Sequence, residues 1–348
     1  MTLMSWHPLF CSLSLRHLKP VLITILTLFI LLAGRSETLA KHPQRFFFSG
    51  DGQIDIAAER SGIAYRGRYR LDTGRYDENA YRSLCRVFGA PYDAHHSGLS
   101  LRLIAFLDYL QDRLGSGALI AITSGYRSPE YNTHLRQKGA LAAKASLHQY
   151  GMAADFKMEG VSPRRIWQFV RSLGFGGAGF YHGRTVHVDV GPARSWDEKS
   201  SGVGTGISDD NKLMGLVTDY DRYRPGDTLW LRFIRMTAFP IGVAAEFDLL
   251  RLEPSGAQTP VSRFSPFVQT DAQVRCAHFG DIEQMAAFQW SLPQDLSDGR
   301  YAIRAVFCDN PWPVMPSEVI SPPFEVVTTG RGLRVSGIRF PPSRCRGR

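Results

Sequence analysis

The chain has 348 residues, which predicts roughly two domains. Hydrophobic residues make up 44% and charged residues 21%, and these values exclude a disordered, collagen-like or coiled-coil protein. The formal net charge of +9 favours an anionic environment such as nucleic acid, a membrane surface or an anionic cell-wall polymer.

The N-terminal segment has the features of a targeting signal. Arg16 and Lys19 precede an uncharged apolar run over 21–33, which is too short to span a bilayer and typical of a signal-peptide core. Ala40 provides a small residue for a cleavage site. We predict that residues 1–40 are a signal peptide, with an uncleaved anchor as the alternative, and that the remainder is periplasmic or secreted.

The pattern over residues 41–196 is that of an α+β domain. Helix signals begin at three serines, Ser100, Ser128 and Ser162. Buried strands are predicted over 118–123 and 185–190, and alternation in the second strand places His187 and Asp189 on the same face. The glycines over 174–179 predict a tight loop.

The second half of the chain has the pattern of an all-β domain. Residues 197–212 are polar and rich in Gly and Ser, which predicts a linker. Strand-like segments separated by Pro, Gly and Asp turns then predict a sandwich-like domain over 213–327. These segments are 228–236, 243–253, 273–278, 286–292 and 300–308. Residues 328–348 form a basic tail.

The cysteines of the predicted mature chain favour a disulfide over a zinc site. They are Cys85, Cys276, Cys308 and Cys345, and their wide spacing excludes a CxxC pair. We prefer Cys276 with Cys308, because both lie in strand-like segments of one region of a protein in an oxidising compartment. Four cysteines allow three connectivities, and these stay open.

Two histidines and one aspartate form a set suited to a catalytic metal. His148 and Asp155 lie in the stretch SLHQYGMAAD, and His187 follows 32 residues after Asp155. Three nitrogen and oxygen ligands that leave one position open are typical of catalytic zinc. From the spacing alone, the alternative is two polar loop groups and a core histidine.

Three motifs carry a family resemblance. SGYRS over 124–128, SLHQYGMAAD over 146–155 and VHVDVGP over 186–192 resemble the D-alanyl-D-alanine metallopeptidase family, whose superfamily includes lysostaphin and the hedgehog signalling domain. The pattern is similar to that of a subgroup of bacterial cell-envelope proteins, and it covers about residues 100–196. The resemblance implies an antiparallel zinc-peptidase-like sheet with flanking helices, zinc held by His148, Asp155 and His187, and a peptidoglycan stem peptide as substrate.

The resemblance also assigns roles around the metal. It implies that Arg127 binds the substrate carbonyl or terminal carboxylate, and the alternative is that Arg127 forms a surface salt bridge. Many family members carry a glutamate three residues before the last ligand, and Arg184 occupies that position here. We therefore expect His182 to transfer a proton, since some branches place a histidine there, and Asp189 to support His187.

These expectations give a first hypothesis and two rivals. The first is a zinc metallopeptidase, like a D,D-carboxypeptidase or an endopeptidase, that acts on peptidoglycan stem peptides or cross-links. The second is a non-catalytic, metal-containing cell-wall binding module, which the missing glutamate favours, and the third makes the β-domain an adhesion module. We predict no nucleic-acid partner, because no known module signature occurs, and membrane contact only through an uncleaved N-terminal segment. His95, His96 and His134 are expected to be exposed rather than ligands.

Overall fold

Four α-helices occur in the part of the chain that the computed structural model describes, which is residues 44–93, 98–140, 142–183, 185–266, 275–285 and 287–328. They are α1 (Glu78–Phe88), α2 (Leu101–Leu114), α3 (Pro129–Gln137) and α4 (Pro163–Leu173). None of the helices in these ranges is long and apolar enough to cross a bilayer. The predicted signal peptide and basic tail lie outside the described residues.

The helix starts follow from their capping residues. The hydroxyls of Ser128 and Ser162 accept hydrogen bonds from backbone amides of the first turns of α3 and α4, and a proline follows each serine. The helix predicted after Ser100 is present as α2, and Leu103, Phe106, Leu107 and Leu110 on its apolar face are completely buried. Helix α1 was not predicted, although Asp77 caps its first turn.

Seven strands of the first half form one sheet in the order β2-β1-β3-β4-β6-β5-β7. They are β1 (Gln53–Ala58), β2 (Ala64–Arg68), β3 (Ile120–Ser124), β4 (Ala153–Met158), β5 (Gly177–Phe180), β6 (Val186–Asp189) and β7 (Arg194–Asp197). The prediction of an antiparallel sheet is wrong for two pairs, because β1 with β3 and β5 with β7 run parallel. The long connection through α1 and α2 allows β3 to return parallel to β1.

The tight loop predicted over 174–179 is present only at residues 174–176, and the glycines that follow lie in a strand. Residues 177–180 form β5, which pairs with both β6 and β7. Gly177 lies opposite Asp189 and Gly179 opposite His187. A Cβ atom on Gly177 would lie 2.1 Å from the Asp189 carboxylate, so this strand is glycine-rich because it leaves room for that side chain.

The second half of the described chain is rich in strands. They are β8 (Gly215–Thr218), β9 (Arg222–Tyr223), β10 (Thr228–Ile234), β11 (Ile241–Ala244), β12 (Phe247–Leu252), β13 (Gln258–Phe264), β14 (Cys276–Phe279), β15 (Phe288–Ser291), β16 (Gly299–Val306), β17 (Glu318–Ile320) and β18 (Phe324–Val326). They form a three-stranded sheet, a two-stranded sheet and a six-stranded sheet. The prediction of mixed α and β structure followed by a β-rich region is confirmed.

The segment predicted as a linker has local structure, and the predicted disulfide is present. Residues 197–212 contain two short 3₁₀-helices, Glu198–Ser200 and Asp209–Asn211. The Asn211 amide is completely buried and bonds to the backbone of residues 237 and 238. Cys276 and Cys308 form the predicted disulfide. Cys85 is buried and outside any disulfide, and Cys345 lies outside the described residues.

The two halves contact each other within one compact unit. Arg102 of α2 forms an ion pair with Asp221 at 2.8 Å, and both side chains are less than a tenth exposed. The segment 44–48 lies beside this pair, where the Phe47 amide donates to Asp221. Arg222 of β9 donates to the carbonyl oxygens of residues 44 and 46. The β-rich half is therefore hydrogen-bonded to the start of the described chain and to α2.

Candidate metal centre

Strand pairing brings two of the three predicted ligands together. Asp155 of β4 lies directly opposite His187 of β6 in the antiparallel ladder, so both side chains point to one face of the sheet. His148 lies in the short 3₁₀-helix Leu147–Tyr150, which enters β4 through Gly151. Gly151 has a φ of 59°, and a Cβ there would lie 2.1 Å from the carbonyl oxygen of Gly98. Only glycine fits at this position, which explains the glycine in the motif.

The donor atoms of the three side chains converge. His187 Nδ1 lies 2.9 Å from Asp155 Oδ1, and His148 Nε2 lies 3.3 Å from His187 Nδ1. His148 Nε2 is 3.5 Å from Asp155 Oδ1. All three residues are buried. The structure therefore brings together the three residues that the sequence analysis named.

The second nitrogen of each imidazole is already engaged. His148 Nδ1 lies 2.7 Å from the Gly125 carbonyl oxygen, which accepts its proton. His187 Nε2 lies 2.9 Å from Asp189 Oδ2. These bonds leave His148 Nε2 and His187 Nδ1 to face Asp155 with their lone pairs when the rings are neutral. Two nitrogens and one carboxylate oxygen held in this way fit a zinc ion.

Asp189 is held by a set of donors that keeps it ionised. It accepts from the amides of Gly177 and Gly191, from both terminal nitrogens of Arg194, and from His187. Burial alone would raise the pKa of this carboxyl, but Arg194 and the hydrogen bond from His187 hold it well below its usual range. An ionised, fully engaged carboxylate is suited to orienting His187 and not to moving protons.

Arg127 lies against a predicted ligand. Its Nη2 donates to Asp155 Oδ2 at 2.8 Å, and its Nε donates to Ser124 Oγ at 3.0 Å. The guanidinium is 12% exposed, so the pair is not the surface salt bridge of the alternative interpretation. Burial raises the pKa of Asp155, but the two histidines outweigh that effect and hold it well below its usual range.

The proposed proton donor His182 lies at the edge of this arrangement. Its side chain is exposed, its φ is 45°, and its ring centroid lies 5.5 Å from that of Phe180. Its neighbour Tyr181 is half-buried, and burial and then the charge of Asp155 raise the pKa of the Tyr181 phenol.

Two further residues around His187 were missed from sequence. The Trp196 ring lies 5.0 Å from the His187 ring, and the Arg194 guanidinium lies 5.0 Å from the Trp196 ring. Both come from β7 and are two positions apart, which places them on one face of the strand. The signal was the alternation in the sequence RSW at 194–196, one residue after VHVDVGP.

The other histidines considered do not join the centre within the described chain. His134 is exposed on α3, as predicted. His95 and His96 lie outside the described residues. A second convergent group, formed by Cys276, His278 and Asp309, includes a half-cystine and therefore offers no thiolate.

Comparisons with known proteins agree with the motifs. The family model described as "Peptidoglycan L,D-endopeptidase MepK" matches residues 56–196. Proteins of that name from Escherichia coli K12 and Shigella flexneri are 41% identical to this chain over 88 residues, which is 25% of this chain and 48% of each relative. A relative from Haemophilus influenzae is 38% identical over 89 residues, again 25% of this chain and 48% of the relative. The chain thus spans about half the length of the curated relatives that it matches. The predicted resemblance to the D-alanyl-D-alanine metallopeptidase family is confirmed for residues 56–196.

Proposed function

We propose that this protein is a secreted or periplasmic zinc metallopeptidase that cleaves amide bonds in peptidoglycan. His148, Asp155 and His187 hold the ion. The observation that carries the proposal is that both imidazoles are fixed by their far nitrogens, so that their near nitrogens converge on the Asp155 carboxylate. The names of the relatives favour an L,D-endopeptidase over a D,D-carboxypeptidase.

The residues around the ion have separate tasks. Zinc held by His148, Asp155 and His187 would supply Lewis-acid chemistry, which would polarise a substrate carbonyl and would lower the pKa of a bound water to roughly 7. Arg127 orients Asp155 and supplies guanidinium donors beside the reacting carbonyl. Asp189 keeps His187 in the tautomer that exposes Nδ1. His182 transfers the proton to the leaving amine, because an exposed imidazole next to the site can serve as a general acid.

Metal content tests the ligand assignment. We expect residues 41–348 to bind about one zinc per chain, and His148→Ala, Asp155→Ala and His187→Ala each to lose it. His134→Ala is the matched control, because His134 is an exposed histidine of the same half of the chain. Full zinc retention in all three ligand variants would reject the assignment.

Turnover tests the proton donor. His182→Ala should lower the rate by about two orders of magnitude while zinc stays bound. Tyr181→Phe is the comparison, since it removes a phenol whose pKa the charge of Asp155 raises. If Tyr181→Phe abolishes turnover and His182→Ala does not, the proton passes through Tyr181.

The second candidate is a binding module that grips cell-wall peptides without cleaving them. The residue Arg184 at the position of the family glutamate favours it. Incubating the zinc-loaded protein with muropeptides and assaying for new amines separates the two candidates. Binding without new amines would support the module.

We further propose the domain organisation that the sequence predicts. Residues 1–40 are a signal peptide, 41–196 the peptidase-like domain, 197–212 a connecting segment, 213–327 the β-domain and 328–348 a basic tail. The match of the family model, which ends at residue 196, supports the first boundary between domains.

A further inference from the structure

Arg235 is a buried cation in an unusual backbone conformation. It follows the last residue of β10 and lies outside the residues that match the family model. Its relative exposure is 8%. Its φ is 61°, in the left-handed region that residues with long side chains seldom adopt. Such a residue persists only where its surroundings or its function require it.

The end of β10 packs against the turn that carries the first proposed ligand. The amide of Met236 donates to the Tyr150 hydroxyl at 3.1 Å, and Arg232 donates to the Tyr150 carbonyl oxygen at 2.9 Å. Tyr150 is two residues after His148 in the same 3₁₀-helix. The β-rich half therefore contacts the turn that carries His148, and Arg235 lies between Arg232 and Met236 in sequence.

Arg235 is not neutralised by its neighbours. Its Nη2 is buried and has no hydrogen-bond partner among the described residues. Asp189 lies close enough for Arg235 to lower the pKa of that carboxyl, but Arg194 and His187 already occupy its oxygens. Burial and then repulsion by Arg194 lower the pKa of Arg235 to about 9, so it stays cationic at neutral pH.

The charges described around the centre leave an excess of positive charge. Asp155 and Asp189 are the two carboxylates, and Arg127, Arg194 and Arg235 are the three guanidinium groups. The excess is one positive charge before any cation binds. A buried cation without a partner is costly, and an anionic ligand would offset that cost.

We propose that Arg235 binds a free carboxylate of the peptide substrate, so that the β-rich half forms part of the substrate site. This inference rests on the proposed function, because a peptide from peptidoglycan supplies the carboxylate. Guanidinium pairs with carboxylate through two parallel hydrogen bonds, which suits the unpartnered Nη2.

Peptide binding tests the proposal without requiring turnover. The probes are a synthetic stem tetrapeptide ending in D-alanine, the same peptide with an amidated C-terminus, and a third with its side-chain carboxylates amidated. Affinities are measured by calorimetry on the zinc-loaded full chain. We expect one of the two amidations to weaken binding by about 10- to 100-fold in the wild type. In Arg235→Gln that difference should vanish while zinc content is unchanged.

Two further variants serve as controls for this binding measurement. Arg300→Gln removes an exposed arginine of the β-rich half and should keep the preference for the free acid. Arg235→Lys keeps the charge and should keep part of the preference, which covers the case in which Arg235→Gln does not fold. Retention of the full preference in Arg235→Gln would overturn the proposal. If Arg235→Gln loses both zinc and the preference for the free carboxylate, the proposal is also overturned, because Arg235 would then act by holding Asp189 in place. If the wild type binds the peptides but releases no amines, the peptidase proposal fails while the carboxylate site stands.

Discussion

Replacing Asp189 with asparagine tests how His187 is oriented, because all three proposed metal ligands stay in the chain. The amide oxygen can take the place of Oδ1 and accept from Gly177, Gly191 and one nitrogen of Arg194. The amide nitrogen then replaces Oδ2, where it faces the other Arg194 nitrogen and His187 Nε2, which are both donors. His187 can relieve this conflict only by moving its proton from Nε2 to Nδ1, the atom that faces Asp155.

The size of the effect follows from the bond that is lost. A hydrogen bond to a charged group contributes about 1.5–3 kcal/mol, which corresponds to a loss of about 10- to 100-fold in zinc affinity. The affinity is measured by competition between the metal-depleted protein and a chromophoric chelator. Asp72→Asn is the control, because the Asp72 side chain is 96% exposed. Wild-type zinc affinity in Asp189→Asn would refute the assignment of Asp189 as the residue that orients His187.

Three other predictions concern stability. A methyl group on Gly179 would lie 2.7 Å from the Trp196 ring, so Gly179→Ala should lower the free energy of unfolding in urea by about 1–3 kcal/mol; no change would mean that the ring moves freely. Burial raises the pKa of Asp108 to about 7, so between about pH 4 and pH 7 the folded protein keeps a proton that the unfolded chain has lost, and stability falls as pH rises. The free energy of unfolding of Asp108→Asn should therefore rise relative to that of wild type by up to about 4 kcal/mol from pH 4 to pH 8. A difference in unfolding free energy that does not change with pH would contradict this. Reduction of Cys276–Cys308, which are 32 residues apart, should lower the unfolding free energy by about 3–4 kcal/mol, and equal urea midpoints with and without reductant would disprove it.

The features that could be predicted from sequence depend on short-range signals. Ser128 and Ser162 cap helices because each is followed by a proline and a helical stretch. The set of His148, Asp155 and His187 was found because its motifs are compact, and the structure brings these residues together.

The features that were missed depend on pairings between distant segments. Gly177 and Gly179 predicted a loop because their role depends on side chains of β6 and β7, which lie across the sheet. The position of Trp196 depends on the parallel pairing of β5 with β7. Arg235 approaches the centre only because β10 packs on the His148 turn, a contact that spans more than 80 residues.

Because Asp155 and His187 lie directly opposite each other on paired strands, the number of residues between them is a poor guide in sequence searches for similar metal centres. The geometry is set by the register between β4 and β6 and not by the 32 residues between the two side chains. Insertions in the turns at 159–162 or 174–176 would leave that register unchanged, whereas a slip of one residue within β6 would turn His187 to the opposite face. A search pattern for this arrangement should therefore fix the two short motifs and leave the interval between them free in length.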